Sequence, residues 1–344
     1  MIAPWLLALV VTASVLTVAA RTSRTAEDVA EVSALTRQTK TVCVGRFLID
    51  VPEQAQVRIE PAMVSGFDIT RSNEVARSFA ANLADREQVL AAKPNMLGKR
   101  NIESVTDVRG GEFTGKVFVH SRYRSYSIES EKRVYSDSVS VEGHVHKDGV
   151  TLSFAADTFD PAQTDLLPQL LARLVSRGDE ENPDARGFCI SGAFIQDSNK
   201  ESRSESISMS ARLSGHPDVD MVLWTNAASI KGPMLLARNA AAMDLLTRAR
   251  SRTLREGSRV IHRMAGEEVA LKVAEMNLAT VYGFAWETRG TDDNVAVPHL
   301  SFEMDSGVNP RAGGKPVSSS LSEDAMLMLW GAISSSIRPR AQHD

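Results

Sequence analysis

The sequence predicts an α+β fold of two similar domains, each an antiparallel sheet with flanking helices. Three observations carry this expectation. First, Thr41-Val-Cys43-Val-Gly45-Arg-Phe47-Leu-Ile49-Asp50-Val-Pro52 and Gly187-Phe-Cys189-Ile-Ser-Gly192-Ala-Phe194-Ile195-Gln-Asp197 share the order Cys, Gly, Phe, Ile, Asp, which reads as an internal repeat. Second, strand-like and helix-like segments follow both copies in the same order, with strands in runs rather than in the βαβ alternation of a doubly wound sheet. Third, 344 residues exceed the roughly 100–200 of one ordinary domain.

In the first half, Thr41–Pro52 is rich in β-formers, closes at a Pro and reads as a strand. After Phe67-Asp-Ile69, Ser72 is placed to cap a helix whose Val75, Phe79 and Leu83 recur every fourth residue along one stripe. Lys116–Val119, Val139–Val141 and Val150–Phe154 then make an antiparallel meander, with Asp148-Gly149 turning between the last two. A helix around Leu166–Val175 ends before Gly178, with Pro168 requiring a late start or a kink. The acidic, turn-rich stretch at Gly178–Asp184 is the expected linker. It divides the chain into domains at 41–178 and 187–340, with residues 179–186 between them. In the second half, Met221–Trp224 reads as a strand, and Pro233 suits the first turn of a helix carrying Leu236, Ala240, Met243 and Leu246. Strands at Glu268–Val273, Thr280–Trp286 and His299–Met304 follow. The last helix, Ser322–Ile337, has Ser320-Leu-Ser-Glu323 as a possible capping box, Met326, Leu329, Trp330 and Ile333 as its buried stripe, and Pro339 as its stop. Trp286 and Trp330 fit core positions.

From Ile2 to Ala20 no side chain is charged, and Arg21 and Arg24 follow. Residues 1–20 therefore read as a signal peptide or a membrane anchor, and 21–40 as a solvated tether. Val18-Ala19-Ala20 offers small residues for cleavage, whereas no Lys or Arg precedes the apolar run. Both alternatives place the folded part outside the cytoplasm under Sec-type export. The composition, 43% hydrophobic and 24% charged, supports ordinary cores, and a net charge of -4 supplies no field for gripping nucleic acid.

No Gly-x-Ser-x-Gly, His-Glu-x-x-His, Gly-x-Gly-x-x-Gly or Cys-x-x-Cys motif occurs, so no cofactor, metal or catalytic residue is expected. Gly110-Gly-Glu-Phe-Thr-Gly115-Lys116-Val117 has P-loop spacing, but Val replaces the hydroxyl residue and the run continues as strand, so it reads as a hairpin. His144 and His146 share one face of a strand and lack an evident third ligand; solvent-facing hairpin residues are the plainer reading. His216, His262 and His299 have no nearby Ser or Asp that would identify a triad. Cys43 and Cys189 occupy equivalent places in the repeats. They form one disulfide if their strands come close, or remain two separately buried thiols.

Cys43–Pro52, Gly187–Gly192, Phe302-Glu-Met-Asp-Ser-Gly307 and Leu329-Trp-Gly-Ala-Ile-Ser-Ser-Ser-Ile-Arg338 resemble the immunity proteins that neutralise antibacterial type VI secretion phospholipase effectors. The resemblance runs from about Thr41 to Arg340. It implies a periplasmic, crescent-like two-domain protein that binds a cognate lipase toxin and blocks substrate access or lid movement, with no cofactor. Arg109 and Glu112 in one loop, Asp292, Asp293 and Asn294 in its counterpart, and the alternating Arg122, Tyr123, Arg124 and Tyr126 are the candidate partner-binding residues. Solvated hairpin tips and a solvated strand face are the plainer readings of the same residues. The competing functions are an envelope scaffold or assembly protein and a hydrolase whose triad is distant in sequence.

Overall fold

The computed structural model describes residues 23–110, 112–197, 204–228 and 230–340. The expected export segment at 1–20 lies outside them. Helix α1 (23–35) leads into a hairpin of β1 (Thr39–Val44) and β2 (Phe47–Pro52), followed by β3 (Ala55–Ile59), β4 (Ala62–Val64) and β5 (Phe67–Asn73). Helix α2 (Ala76–Ala91) precedes the meander β6 (Ile102–Gly110), β7 (Phe113–Glu129), β8 (Lys132–Lys147) and β9 (Val150–Phe159). Helix α3 (Leu166–Leu171) runs into β10 (Leu174–Ser176). The second half opens with a hairpin of β11 (Gly187–Ile190) and β12 (Ala193–Gln196), then β13 (Glu205–Leu213) and β14 (Asp220–Asn226). Helices α4 (Leu235–Ala242) and α5 (Leu245–Arg250) precede β15 (Ser251–Ile261), β16 (Met264–Ala274), β17 (Thr280–Thr288) and β18 (His299–Ser306). The chain closes with α6 (Glu323–Ser335) and β19 (Arg338–Pro339).

The class is the α+β, antiparallel one that the sequence predicts, but the two halves share a sheet. Among the described residues a 13-stranded sheet runs in the order β15-β16-β17-β18-β14-β13-β4-β5-β9-β8-β7-β6, with β3 also on β13. Strand β13 makes the join: Glu205 and Ser206 pair with Val64 and Met63, and Met209–Leu213 pair with Ile59–Ala55. Its alternation is strict, with Ile207, Met209, Ala211 and Leu213 all buried, as a half-buried strand requires.

The hairpins that open the two halves are exchanged in space. β1–β2 takes its third strand, β19, from the chain's far end, and β2 packs on α6. β11–β12 takes β10 from the end of the first half. Cys43 and Cys189 are joined by a disulfide across the two hairpins, with 5.9 Å between their Cα atoms. Beside it the Gly45 N–H donates to the Cys189 carbonyl at 3.1 Å, and the Cys189 N–H donates to the Gly45 carbonyl at 2.8 Å. Gly45 has φ +56°, and a Cβ there would meet Phe188 at 2.9 Å, so both backbone sign and space demand glycine.

Several local expectations are revised. Thr41–Pro52 and Gly187–Asp197 are each two strands, because Gly45 and Gly192 turn the chain with positive φ. The tether region contains α1. Ser72 belongs to β5, and α2 starts at Ala76 with no side-chain cap. Val175 lies in β10 rather than a helix. The run after Pro233 splits into α4 and α5 because the Asp244 side chain accepts from the Thr247 N–H at 2.7 Å and starts a new helix, leaving Leu246 exposed. The capping box before α6 does not form. The Ser320 hydroxyl pairs with His216 Nδ1 at 2.8 Å, the Ser322 N–H donates to Asp28 of α1 at 2.7 Å, and Glu323 binds Arg252 and Lys272. Pro339 sits in β19, and α6 ends at Ser335.

Joining residues 146 apart restricts the unfolded chain strongly, so the double substitution C43S/C189S should lower unfolding free energy by about 2–5 kcal/mol. Equilibrium urea unfolding of the oxidised wild type and the variant measures the difference; reductant should move the wild type to the variant's curve.

Candidate partner-binding surface

Behind the sheet join, Arg46 occupies the turn between β1 and β2. It is 6% exposed. Its guanidinium donates to Glu205 (2.8 and 2.6 Å) and to Asp197 (2.9 and 3.0 Å), so one cation from the first half meets two buried carboxylates of the second. Burial alone would lower the Arg46 pKa; the carboxylates outweigh it and raise it.

The outer helices are each tied to the sheet by an ion pair, and both halves use one device. In the first, Arg86 of α2 forms an ion pair with Glu142 of β8; in the second, Arg238 of α4 pairs with Glu287 of β17. Each carboxylate has histidine near it. His120 and His144 approach Glu142 at 3.1 and 3.4 Å, and His299 feels the Glu287 charge. Burial would raise the Glu142 pKa, but His120, His144 and Arg86 hold the carboxylate well below its usual range. Burial lowers the His299 pKa despite Glu287. His144 and His146 do share a face, as β-strand spacing predicts, but it lies under α2 rather than in solvent. His146 stacks on Phe79 at 5.1 Å and meets Thr151 at 3.1 Å.

The alternating Arg and Tyr residues lie on an arm. β7 and β8 run past their neighbours as a long hairpin closed at Ser130-Glu131, both with positive φ. On one face Tyr126 sits opposite Tyr135, ring centroids 6.0 Å apart, with the Arg133 guanidinium 4.7 Å above Tyr126. Ile128 opposite Arg133 extends the patch; Tyr126, Tyr135 and Ile128 are 53%, 58% and 72% exposed. Arg124 forms a two-point pair with Asp137 at 2.6 and 3.2 Å, and Arg122 with Glu103 at 2.5 and 2.7 Å. The Tyr123 hydroxyl donates to Thr158 at 3.0 Å.

The two loops are not brought together. Gly110–Lys116 spans a β6–β7 turn, as expected, with Arg109 opposite Thr114. Glu112 accepts from the Ser176 N–H at 3.1 Å and pairs with Lys147 at 3.2 Å, contacts that lower its pKa, so it ties β10 to the hairpin. Asp292, Asp293 and Asn294 lie between β17 and β18, where Asn294 accepts from the Ala296 N–H at 2.9 Å and Asp293 has φ +53°. From β18 to β7 the sheet path is seven strand spacings, about 33 Å. Tyr135, Ile128 and Arg133 escaped the sequence reading because Ser130-Glu131 lacks the Gly or Asn that marks such a turn. The alternation Arg133-Val-Tyr135-Ser-Asp137 was the available signal.

A family model described as the Tle cognate immunity protein 4 N-terminal domain matches residues 40–166, and one described as the C-terminal domain of the same protein matches 181–342. The chain belongs to the Tle cognate immunity protein 4 family. No curated protein sequence matches it. Among solved structures, the apo immunity protein TplEi of T6SS from Pseudomonas aeruginosa is similar with a TM-score of 0.71 and 24% identity, over 89% of this chain and 98% of that one. The Tle4-Tli4 complex gives 0.73 and 22% over 90% and 99%. TplEi complexed with "L" peptide gives 0.69 and 22% over 89% and 99%. These structures share the fold.

Within this family member the buried and exposed arginines should separate cleanly. Arg46→Leu takes the guanidinium away from two buried carboxylates and should cost about 3–5 kcal/mol in urea unfolding. Arg124→Ala, on the exposed arm, should cost less than about 1 kcal/mol.

Proposed function

We infer that this protein is an immunity protein of the type VI secretion system that binds a cognate phospholipase effector and inhibits it. Membership of the Tle cognate immunity protein 4 family over both halves carries the reading. The solved complex of Tle4 with Tli4, which has this fold, supports it. Inhibition is by shape: the bound protein occludes substrate access or lid movement and performs no bond-breaking itself. It acts in the periplasm, reached through residues 1–20 as a cleaved signal or a retained anchor.

The arm is the part of the surface we propose meets the partner, with Tyr126, Tyr135 and Ile128 as apolar anchors and Arg122, Arg124 and Tyr123 around them. Aromatic and arginine side chains in such a cluster are the groups that dominate binding energies. Arg109, Glu112, Asp292, Asp293 and Asn294 would lie at the edge of that contact or outside it.

Purified full-length protein in stoichiometric excess over the phospholipase encoded beside its gene should abolish lipid hydrolysis; a fully active phospholipase overturns the reading. The pair Y126A/Y135A should weaken that complex by at least about tenfold, two anchors of roughly 1 kcal/mol or more each, while lowering the unfolding free energy by no more than about 2 kcal/mol, the worth of the aromatic and cation–π pairs it removes. Titration calorimetry and urea unfolding read the two quantities.

A further inference from the structure

The sheet splits open beside its join. The hairpin β4–β5 turns at Ser65-Gly66, both with positive φ, and pairs Val64 with Phe67 and Ala62 with Ile69. Continued, this ladder would zip β3 to β5. It stops instead at Pro61, and among the described residues no strand pairs with the facing edges of β3 and of Thr70–Asn73.

Hydrogen-bond parity shows which groups those edges present. The Glu60 N–H donates to Ser208 of β13 at 2.9 Å, so Arg58 and Gln56 also turn their peptide groups to β13, and Val57 and Ile59 turn theirs away. Across the gap, Phe67 closes a two-residue hairpin and so faces β4, as does Ile69; the same parity aims Arg71 and Asn73 into the gap. The Glu74 N–H donating to Gly149 at 2.9 Å, on the β9 side, agrees. The N–H and C=O groups of Val57 and Ile59 thus face those of Arg71 and Asn73 across a groove of about 580 Å³. Its lining mixes Val42, Leu152 and Ile190, all almost fully buried, with polar Thr41, Ser72 and Ser191, and it includes Arg58 and the Arg71–Asp179 ion pair.

We propose that this fork is a peptide site in which an extended segment of the phospholipase effector enters as an added β-strand. The proposal rests on the immunity reading and deepens it. An inserted strand satisfies main-chain groups on both of its edges, which a side chain or a folded surface cannot do. Its side chains would alternate between the groove's lining and solvent. Both gripping edges belong to the first half, with β3 held by the second half's β13 and β5 by the first half's β9, so the fork lies beside the joint between the halves.

Hydrogen–deuterium exchange of the full-length protein, alone and with the purified phospholipase encoded beside its gene, tests this. The Val57, Ile59, Arg71 and Asn73 amides should exchange quickly in the free protein and become protected in the complex. Overlapping 15-residue peptides covering that phospholipase should identify one segment giving the same protection. Val57→Pro removes a groove-facing N–H and leaves the β13 ladder intact, so it should weaken the complex by about tenfold or more. Gln56→Pro, which breaks the ladder, should instead lower the thermal midpoint. Equal exchange of the four amides with and without phospholipase overturns the proposal, as does their protection in the free protein, which would mean that this chain or a second copy fills the fork. If that exchange result accompanies normal inhibition, the immunity reading stands; if wild-type protein binds no phospholipase, both fall.

Discussion

Arg46 is the point at which the two halves cannot do without each other. Its guanidinium and the two carboxylates are desolvated together, and such a group is tolerable only while every member is present. The exchanged hairpins impose the same dependence on the apolar side. β2 lends Phe47, Ile49 and Val51 to the layer that holds Ile333 and Ile337, and all five are almost fully buried in one continuous cluster. A separated half would expose them at about 1.5–3 kcal/mol for each large side chain. The repeat in the sequence therefore yields one cooperative body, whose closing contacts link positions far apart in the chain.

The outer helices obey a different logic. Only Leu90 of α2 is fully buried, and no residue of α4 is. Leu83 and Leu90 of α2 pack with Ile102, Val105 and Phe118 of the sheet, and to such contacts each helix adds an ion pair, Arg86–Glu142 and Arg238–Glu287, at sites that correspond in the two halves. For a protein that inhibits by shape this matters, since ordering a surface before binding removes a cost that binding would otherwise meet.

What the sequence reveals depends on whether the deciding force is local. The meander strands with buried alternation, the turn at Asp148-Gly149 and the Trp330 core were legible, because pleat, turn chemistry and burial act over a few residues. β6 and β15 were not: they are the sheet's edges, and β15 keeps only Ile261 fully buried, so little hydrophobic alternation was imposed on it. The capping box failed for a non-local reason, since His216 and α1 compete for the same Ser320 and Ser322 groups. The exchange of hairpins and the pairing of Cys43 with Cys189 are relations between segments, which composition and periodicity cannot carry. Of the candidate surface, Arg122 to Tyr126 was visible as a pattern, while its cross-strand partners depended on a turn with no glycine or asparagine to announce it.

The fork follows from one residue acting through parity. On β13 the hydrogen-bonded side of the chain is carried by Glu60 but, two residues on, by Met63, so an extra residue has been taken up at Pro61. That bulge turns Ala62 toward β5 while Glu60 stays turned to β13, and the β4–β5 ladder ends between them. Past it, β3 stays on β13 through Gln56, Arg58 and Glu60, and its other edge, at Val57 and Ile59, is left without a strand. The layer behind is meanwhile stapled, with β1 tied to β11 by the disulfide and by the paired Gly45 and Cys189 amides. The two parts are thus tied at the back by the disulfide and joined in front through three-residue β4, so the fork opens from the same joint that links the halves.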